Sequence, residues 1–392
     1  MGGMPPGNTC NPGIDCAAET DPFVLAMLDT CNGVTVSRAS SPVALEGAGT
    51  QGTADHAVVD KWVDGYRQVW ELDNNFSSGK FQGWTGTDQT NDLMSNYRAT
   101  IFFRDSNPSE LTMAATDPTG TIWEFPDNFA VTASSPVQAA GSPSGYVRHD
   151  GLNTVDFRGT DGNIYEAFWD GPQNGWLISS QFPISAQTNF PANGDPMGFR
   201  RSSKSSSIIF ACNSQICEER LTSSGWGFRA LATAVRMAPF VPAPLATPDA
   251  KWVTFYVGED GLREIVDACD PDPTFSCKPS ESLIYASQNI VSAPAPYVDQ
   301  NGGVSVVVIT DSNGANPSQV VQVSRAKTGT SWTASTLYTA SKSSETLVGD
   351  PAAYLATAIN ANTILFRSSA FATHELQWSS SQNKYVSSTI SF

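Results

Sequence analysis

One short pattern recurs along this chain and restricts its folding more than any other feature. A tight Asp/Asn/Gly turn is followed by an apolar residue, a variable residue and a glutamate. A tryptophan or another aromatic ring comes some ten residues later. The stretch "GNIYEAFWDGPQNGW" shows it best, with Ile164, Tyr165 and Glu166 leading to Trp176. Glu71, Glu124, Glu166, Glu218, Glu264 and Glu375 occupy the acid position, and Gln322 takes it once. These seven copies stand at steps of 53, 42, 52, 46, 58 and 53 residues. The closing rings are Trp84, Trp176, Trp226, Phe275, Trp332 and Tyr385.

A unit near 50 residues is too small to bury both of its faces, so neighbours must stack on it. Each copy holds an apolar run before the turn: "HAVVDKW", "TIFFRD", "TVDFRG", "SIIFAC", "WVTFYV", "VSVVVIT" and "TILFRS". Runs of this length, rich in β-branched and aromatic residues and bounded by turn residues, read as strands joined by hairpins. Proline-led segments such as "GDPMGF" and "GDPAAYL" open several units with a further strand. The expectation is an all-β chain: a seven-bladed β-propeller of four-stranded antiparallel blades. Six blades is the alternative, because the first copy, Asp55 to Trp84, has two extra residues between turn and glutamate. The propeller is expected over 33–392 as a single domain, with a Gly/Pro/Cys-rich lead at 1–32. Asp21 to Cys31 offers the one helical pattern, with Asp21 as N-cap and Pro22 in its first turn. Ring closure is expected to pair the final strand, near "KYVSSTISF", with "GVTVSRA".

Composition narrows the partners. The net charge of −16 repels phosphate backbones, which excludes nucleic acid as the expected ligand. No window is apolar enough for a membrane-spanning helix, and the N-terminus lacks the basic and apolar regions of a signal peptide. Cys212 with Cys217, and Cys269 with Cys277, stand at short local spacings; Cys10, Cys16 and Cys31 sit in the lead. Neither spacing is a zinc repeat, and three histidines add little, so disulfides in an oxidising, extracellular setting are expected. No cofactor or metal is expected.

Other chemistries find no support. "GTDGN" lacks the Lys-Ser/Thr end of a phosphate-binding loop. "DSNGANPSQV" lacks the closing glutamate of a calcium loop, and hairpin turns favour its residues anyway. His56, His149 and His374 offer no persuasive base for a Ser-His-Asp triad. The Ser-x-Asp-x-Gly-x-Thr-Trp turn of sialidases is missing.

The string "FRGTDGNIYEAFW…GW" resembles the blade motif of the fungal fucose-specific lectins and related bacterial propeller lectins. The likeness is strongest over Tyr146 to Ser180 and fair over Ser207 to Trp226. It implies a six- or seven-bladed propeller with sugar sites between blades. Each site would combine an arginine from the second strand, a glutamate from the third, and aromatic rings. A carboxylate accepts from sugar hydroxyls, a guanidinium donates in a planar fork, and an indole packs on the C–H face. Here Thr100, Thr154, Ser207, Thr363 and Trp252 stand at the arginine's place, while Arg104, Arg158 and Arg367 stand four residues further on. The resemblance implies a non-catalytic carbohydrate-binding protein for glycans or glycoproteins. Its sugar candidates are Glu166, Trp176, Glu218, Trp226, Glu124, Glu264, Glu71, Trp84 and Glu375. Two alternatives stay open: an adaptor propeller that contacts proteins or self-assembles, and a glycoside hydrolase with a central pair of carboxylates. A second role for the repeated glutamates, holding the next blade, also stays open.

Overall fold

Each repeat closes on itself as one sheet. The computed structural model describes residues 43–390, apart from 50–51, 64–65, 78–79, 82–83, 89–96, 105–106, 126, 181–190, 214, 232, 234, 236, 239, 248–250, 268–278, 312–316, 342–345, 357–358 and 370–371. Blade 1 is formed by Val43–Gly49, Gly52–Val63 and Tyr66–Ser77, with an outer strand split into Lys80–Phe81 and Thr85–Asp88. Blade 2 has Thr100–Arg104, Asn107–Thr116, Ile122–Phe125 and Phe129–Ala130. Blade 3 has Ser144–Val147, Asn153–Arg158, Ile164–Trp169 and Trp176–Ile178. Blade 4 has Met197–Ser202, Ser205–Cys212, Gln215–Thr222 and Gly225–Leu231. Blade 5 has Ala243–Ala246, Trp252–Gly258, Gly261–Asp267 and Ser280–Ala286. Blade 6 has Ala295–Val298, Val304–Thr310, Gln319–Arg325 and Thr333–Thr339. Blade 7 has Leu347–Ala356, Ala361–Ser368, Thr373–Ser379 and Lys384–Ile390. Every neighbouring pair within a blade is antiparallel.

The first strands line up around a closed ring. Each touches the next, and Val43–Gly49 touches both Thr100–Arg104 and Leu347–Ala356. This is a seven-bladed β-propeller. Its core lies between blades, where side chains of one sheet meet the next. Val155, Phe157 and Ile164 of blade 3 pack with Ile208 and Phe210 of blade 4, and with Ala114 and Ile122 of blade 2. Ala57 and Leu72 of blade 1 pack with Ala352, Leu365 and Ile390 of blade 7. Each such aliphatic or aromatic side chain contributes roughly 1.5–3 kcal/mol by leaving water. The second strands are covered on both faces, as their unbroken apolar runs require: all of Ser205–Cys212, Val304–Thr310 and Ala361–Ser368 is buried. The outer strands Thr333–Thr339 and Lys384–Ile390 are largely exposed.

Polar staples reinforce the packing. In the Gly-Asp-Pro segment that opens blade 4, Asp195 accepts from the backbone N–H of Ser142 (3.0 Å) and from Arg158 of blade 3 (3.3 Å). The same motif in blade 7 places Asp350 on the N–H of Ala293 at 2.6 Å. The Asp-Gly turns are hairpin chemistry: Asp161 accepts from the N–H and the side-chain amide of Asn163, and Gly162 takes φ +80°.

One expectation changes. "TIFFRD" does not lie on the second strand of blade 2. Thr100–Arg104 is its inner strand, and Asn107–Thr116 lies between it and the glutamate strand. Thr112, not Thr100, is therefore the counterpart of Thr154. Lys384–Ile390 pairs with Thr373–Ser379 of its own blade, and inner-strand contact and shared core join blades 7 and 1. The "GVTVSRA" partner, the helix at 21–31, and Cys10, Cys16, Cys31, Cys269, Cys277 and Phe275 lie outside the described residues. Cys212 and Cys217 form a disulfide across the blade 4 hairpin, with Cα atoms 5.8 Å apart.

Candidate functional site

The repeated acid and the repeated ring meet across blade boundaries. In blades 2 and 5 the third-strand acid reaches a ring of the following blade. Glu124 of blade 2 accepts at 2.6 Å from the indole N–H of Trp176 in blade 3. Glu264 of blade 5 accepts at 3.2 Å from the indole of Trp332 in blade 6. Gln322 of blade 6 meets the phenol of Tyr385 in blade 7 at 3.5 Å. Glu375 of blade 7 accepts at 3.2 Å from Ser388 of its own blade. Glu71 lies half-buried on the third strand of blade 1, opposite Val58.

The guanidinium partners come from strands the sequence reading did not assign to them. Arg104, at the end of the blade 2 inner strand, donates to Glu124. Arg148, just beyond the blade 3 inner strand, donates to Glu166 at 2.8 Å. Arg201, on the blade 4 inner strand, donates to Glu218 at 3.2 Å. Arg325 of blade 6 stands 3.6 Å from Glu264 and 4.8 Å over the ring of Trp332. The first three arginines precede their glutamates by 20, 18 and 17 residues, and that spacing is the signal the sequence held. Arg158 serves the Asp195 staple instead.

Burial divides these positions. Glu124 and Trp176 are 1% and 7% exposed and bind each other. Burial pushes the Glu124 carboxyl up, against the pull of Trp176 and Arg104. Glu218 sits in a closed ion network: Arg220 (2.9 Å), Arg229 (2.7 Å) and Arg201 all donate to it, and Asp267 of blade 5 shares these arginines. Burial raises Glu218, but the three guanidiniums outweigh it and hold the carboxyl below its usual range; they hold Asp267 at about 2.

The boundary between blades 3 and 4 is different, because it opens into a cleft of about 590 Å3. Phe168, Leu177, Leu221 and half-buried Trp226 supply its apolar walls; Arg148, Ser134, Ser179 and Ser180 supply its polar groups. Arg148 is fixed between Glu166 and Asp150, with its Nε 3.0 Å from Asp150, and lies 5.9 Å from the Phe168 ring. Below the cleft, Asp156 stands directly opposite Glu166 on the neighbouring strand. Both are fully buried, and among the described residues neither Asp156 oxygen nor Oε2 of Glu166 makes an ordinary hydrogen bond. Gly198 of blade 4 permits this approach, since a Cβ there would fall 2.2 Å from both Asp156 and Tyr146. Burial raises Glu166 to about 7 despite Arg148. Burial, then the charges of Glu166 and Glu219, raises Asp156 well above its usual value.

Ring and blade boundaries together define the class as a β-propeller, here with a cleft between blades 3 and 4. No protein-family model matches the sequence, and no curated protein matches it. Solved structures do match in fold. A variant of the Aleuria aurantia lectin in complex with alpha-methyl-L-fucoside aligns with a TM-score of 0.50 at 13% identity, covering 91% of this chain and 97% of that one. The fucose-specific lectin from Aleuria aurantia in a mercury-derivative form gives the same values. One of two prolyl endopeptidases studied for inter-domain dynamics aligns at 0.51 and 11% identity, over 96% of this chain and 53% of that chain. At such identities the likeness is one of fold, and at that level it agrees with the resemblance carried by the blade motif.

Proposed function

We propose that this chain is a non-catalytic glycan-binding propeller and that the cleft between blades 3 and 4 is its principal sugar site. The observation that carries the reading is the pairing, in one open cleft, of a half-buried indole with a fixed guanidinium. Trp226 and Phe168 offer faces to the C–H patch of a sugar ring. Arg148, oriented by Glu166 and Asp150, and the hydroxyls of Ser134, Ser179 and Ser180 offer donors and acceptors to hydroxyls. Aleuria aurantia lectin, similar in fold, is described in complex with a fucoside, which supports a sugar as ligand class. The disulfide at Cys212–Cys217 supports an extracellular setting.

A printed glycan array tests this, with Trp226→Ala as control. Retention of at least one glycan family is expected, with binding lost or weakened at least tenfold in the variant, the scale of one stacking contact. Silence in both monovalent and multivalent formats would sink the proposal. The adaptor reading has one observation in its favour: Glu124–Trp176 and Glu264–Trp332 join blades to each other, so those positions already serve the scaffold. A glycosidase needs two carboxyls facing substrate. Asp156 and Glu166, the paired carboxyls with raised values, are both fully buried beneath the cleft.

A further inference from the structure

Blade 4 carries a charge opposite to that of the chain. From Met197 to Leu231 it holds Arg200, Arg201, Lys204, Arg220 and Arg229 against Glu218 and Glu219, five positive against two negative, in a molecule of −16. Arg201, Arg220 and Arg229 are absorbed in the network around Glu218 and Asp267. Arg200 is not. It is exposed, donates only to the backbone carbonyl of Ser202 (3.4 Å), and forms no ion pair with a carboxylate among the described residues.

The register fixes where it points. Arg200 pairs with Ser206, Ser206 with Leu221, and Leu221 with Trp226, one row across the sheet from channel to rim. Paired residues share a side, so the row faces one way. Leu221 and Trp226 line the cleft, and the Ser206 hydroxyl accepts from the His149 backbone N–H of blade 3 at 2.9 Å. Arg200 thus faces blade 3 on the channel side of the Ser206–His149 contact, while Leu221 and Trp226 line the cleft on the rim side of it. Arg148 brings no surplus charge there, because Glu166 and Asp150 flank it. Lys204 is exposed in the turn that follows Arg200.

We propose that Arg200 makes the cleft selective for an acidic sugar, one bearing a carboxylate or a sulfate ester on the residue next to the ring that packs on Trp226. This rests on the cleft being a glycan site. A guanidinium matches the planar fork of a carboxylate and the oxygens of a sulfate, and such charge-assisted bonds are about twice as strong as neutral ones. The strongly acidic remainder of the molecule disfavours long polyanions, so one acidic group in a mixed glycan fits better than a uniform polyelectrolyte.

The test is an array printed with matched sets: a neutral oligosaccharide, its sulfated form and its uronic-acid form. Wild type is expected to hold a charged member about tenfold more tightly than its neutral counterpart, a gap that shrinks as salt rises. Arg200→Gln should bring the charged members down to the neutral level, Arg200→Lys should restore part of the gap, and Trp226→Ala should lower every member of the set. Preference for sulfate alone or uronate alone identifies the acidic group. Equal or weaker retention of both charged forms by wild type, or a preference that survives Arg200→Gln, overturns the assignment and leaves the glycan reading standing. Retention of nothing removes both.

Discussion

At the scale of the residue, the unusual group is Asp156. A carboxyl with no exposure, no ordinary hydrogen bond among the described residues and a second carboxyl opposite cannot stay ionised cheaply. Its folded value lies well above the usual one, and that of Glu166 stands at about 7. In the unfolded chain both lose their protons near pH 4. Between there and the folded values the unfolded state binds fewer protons, so stability falls as pH rises. For Glu166 the loss is complete once pH passes about 7, and it is on the order of 3 kcal/mol. Asp156→Asn removes the Asp156 share and places an amide donor beside Glu166. The variant should match wild type near pH 4 and melt a few degrees higher at pH 8, as followed by calorimetry. A variant equally shifted at both pH values would show that packing, not ionisation, is responsible.

At the scale of the element, a blade boundary is a hydrophobic contact with a polar latch. Trp176 donates to buried Glu124, so Trp176→Phe removes the donor and leaves a carboxylate oxygen without it. A double-mutant cycle of Trp176→Phe with Glu124→Gln in urea should return a coupling of about 1–3 kcal/mol. Additive effects would mean that the two residues merely sit close. The strands that sequence reading found well are those whose chemistry is local. Val304–Thr310 is an unbroken run of strand formers because it is covered on both faces. Asp161, Gly162 and Asn163 form a turn through contacts within three residues. Blade 2 was misread for a physical reason. Its second strand, Asn107–Thr116, opens on Asn-Pro-Ser-Glu and carries few β-branched residues, while its inner strand has the apolar Ile101-Phe102-Phe103 run. The arginines that meet Glu124, Glu166 and Glu218 were hidden for another reason: they lie 17–20 residues away, on or just beyond a non-adjacent strand, a distance no local pattern spans. Whether a repeated Glu and Trp meet each other or line a cleft depends on the gap between two blades. That gap exists at Trp226 and is filled at Trp176, although the two segments read alike.

At the scale of the whole molecule, the ring is the unit, and its seam is where blades 1 and 7 meet. Among the described residues blades 1 and 7 share no strand, and they meet through inner-strand contact and side-chain packing. Leu72 of blade 1 is fully buried there against Ala352, Leu365 and Ile390 of blade 7. Leu72→Ala leaves a cavity in a contact that cannot collapse without moving a whole sheet, so a loss of about 2–5 kcal/mol is expected. Leu283, at 41% exposure on the outer strand of blade 5, is the matched control, and Leu283→Ala should stay within about 0.5 kcal/mol of wild type. If the seam closes a single cooperative ring, tryptophan fluorescence and far-ultraviolet circular dichroism will report the same lowered urea midpoint for Leu72→Ala. If blade 1 is only appended to a ring that six other blades could complete, the two signals will separate. A first, small transition would then appear while the bulk of the sheet signal keeps the wild-type midpoint. Coincident curves at an unchanged midpoint would be worse for the closed ring, because they would mean that Leu72 contributes nothing where first and last blades meet.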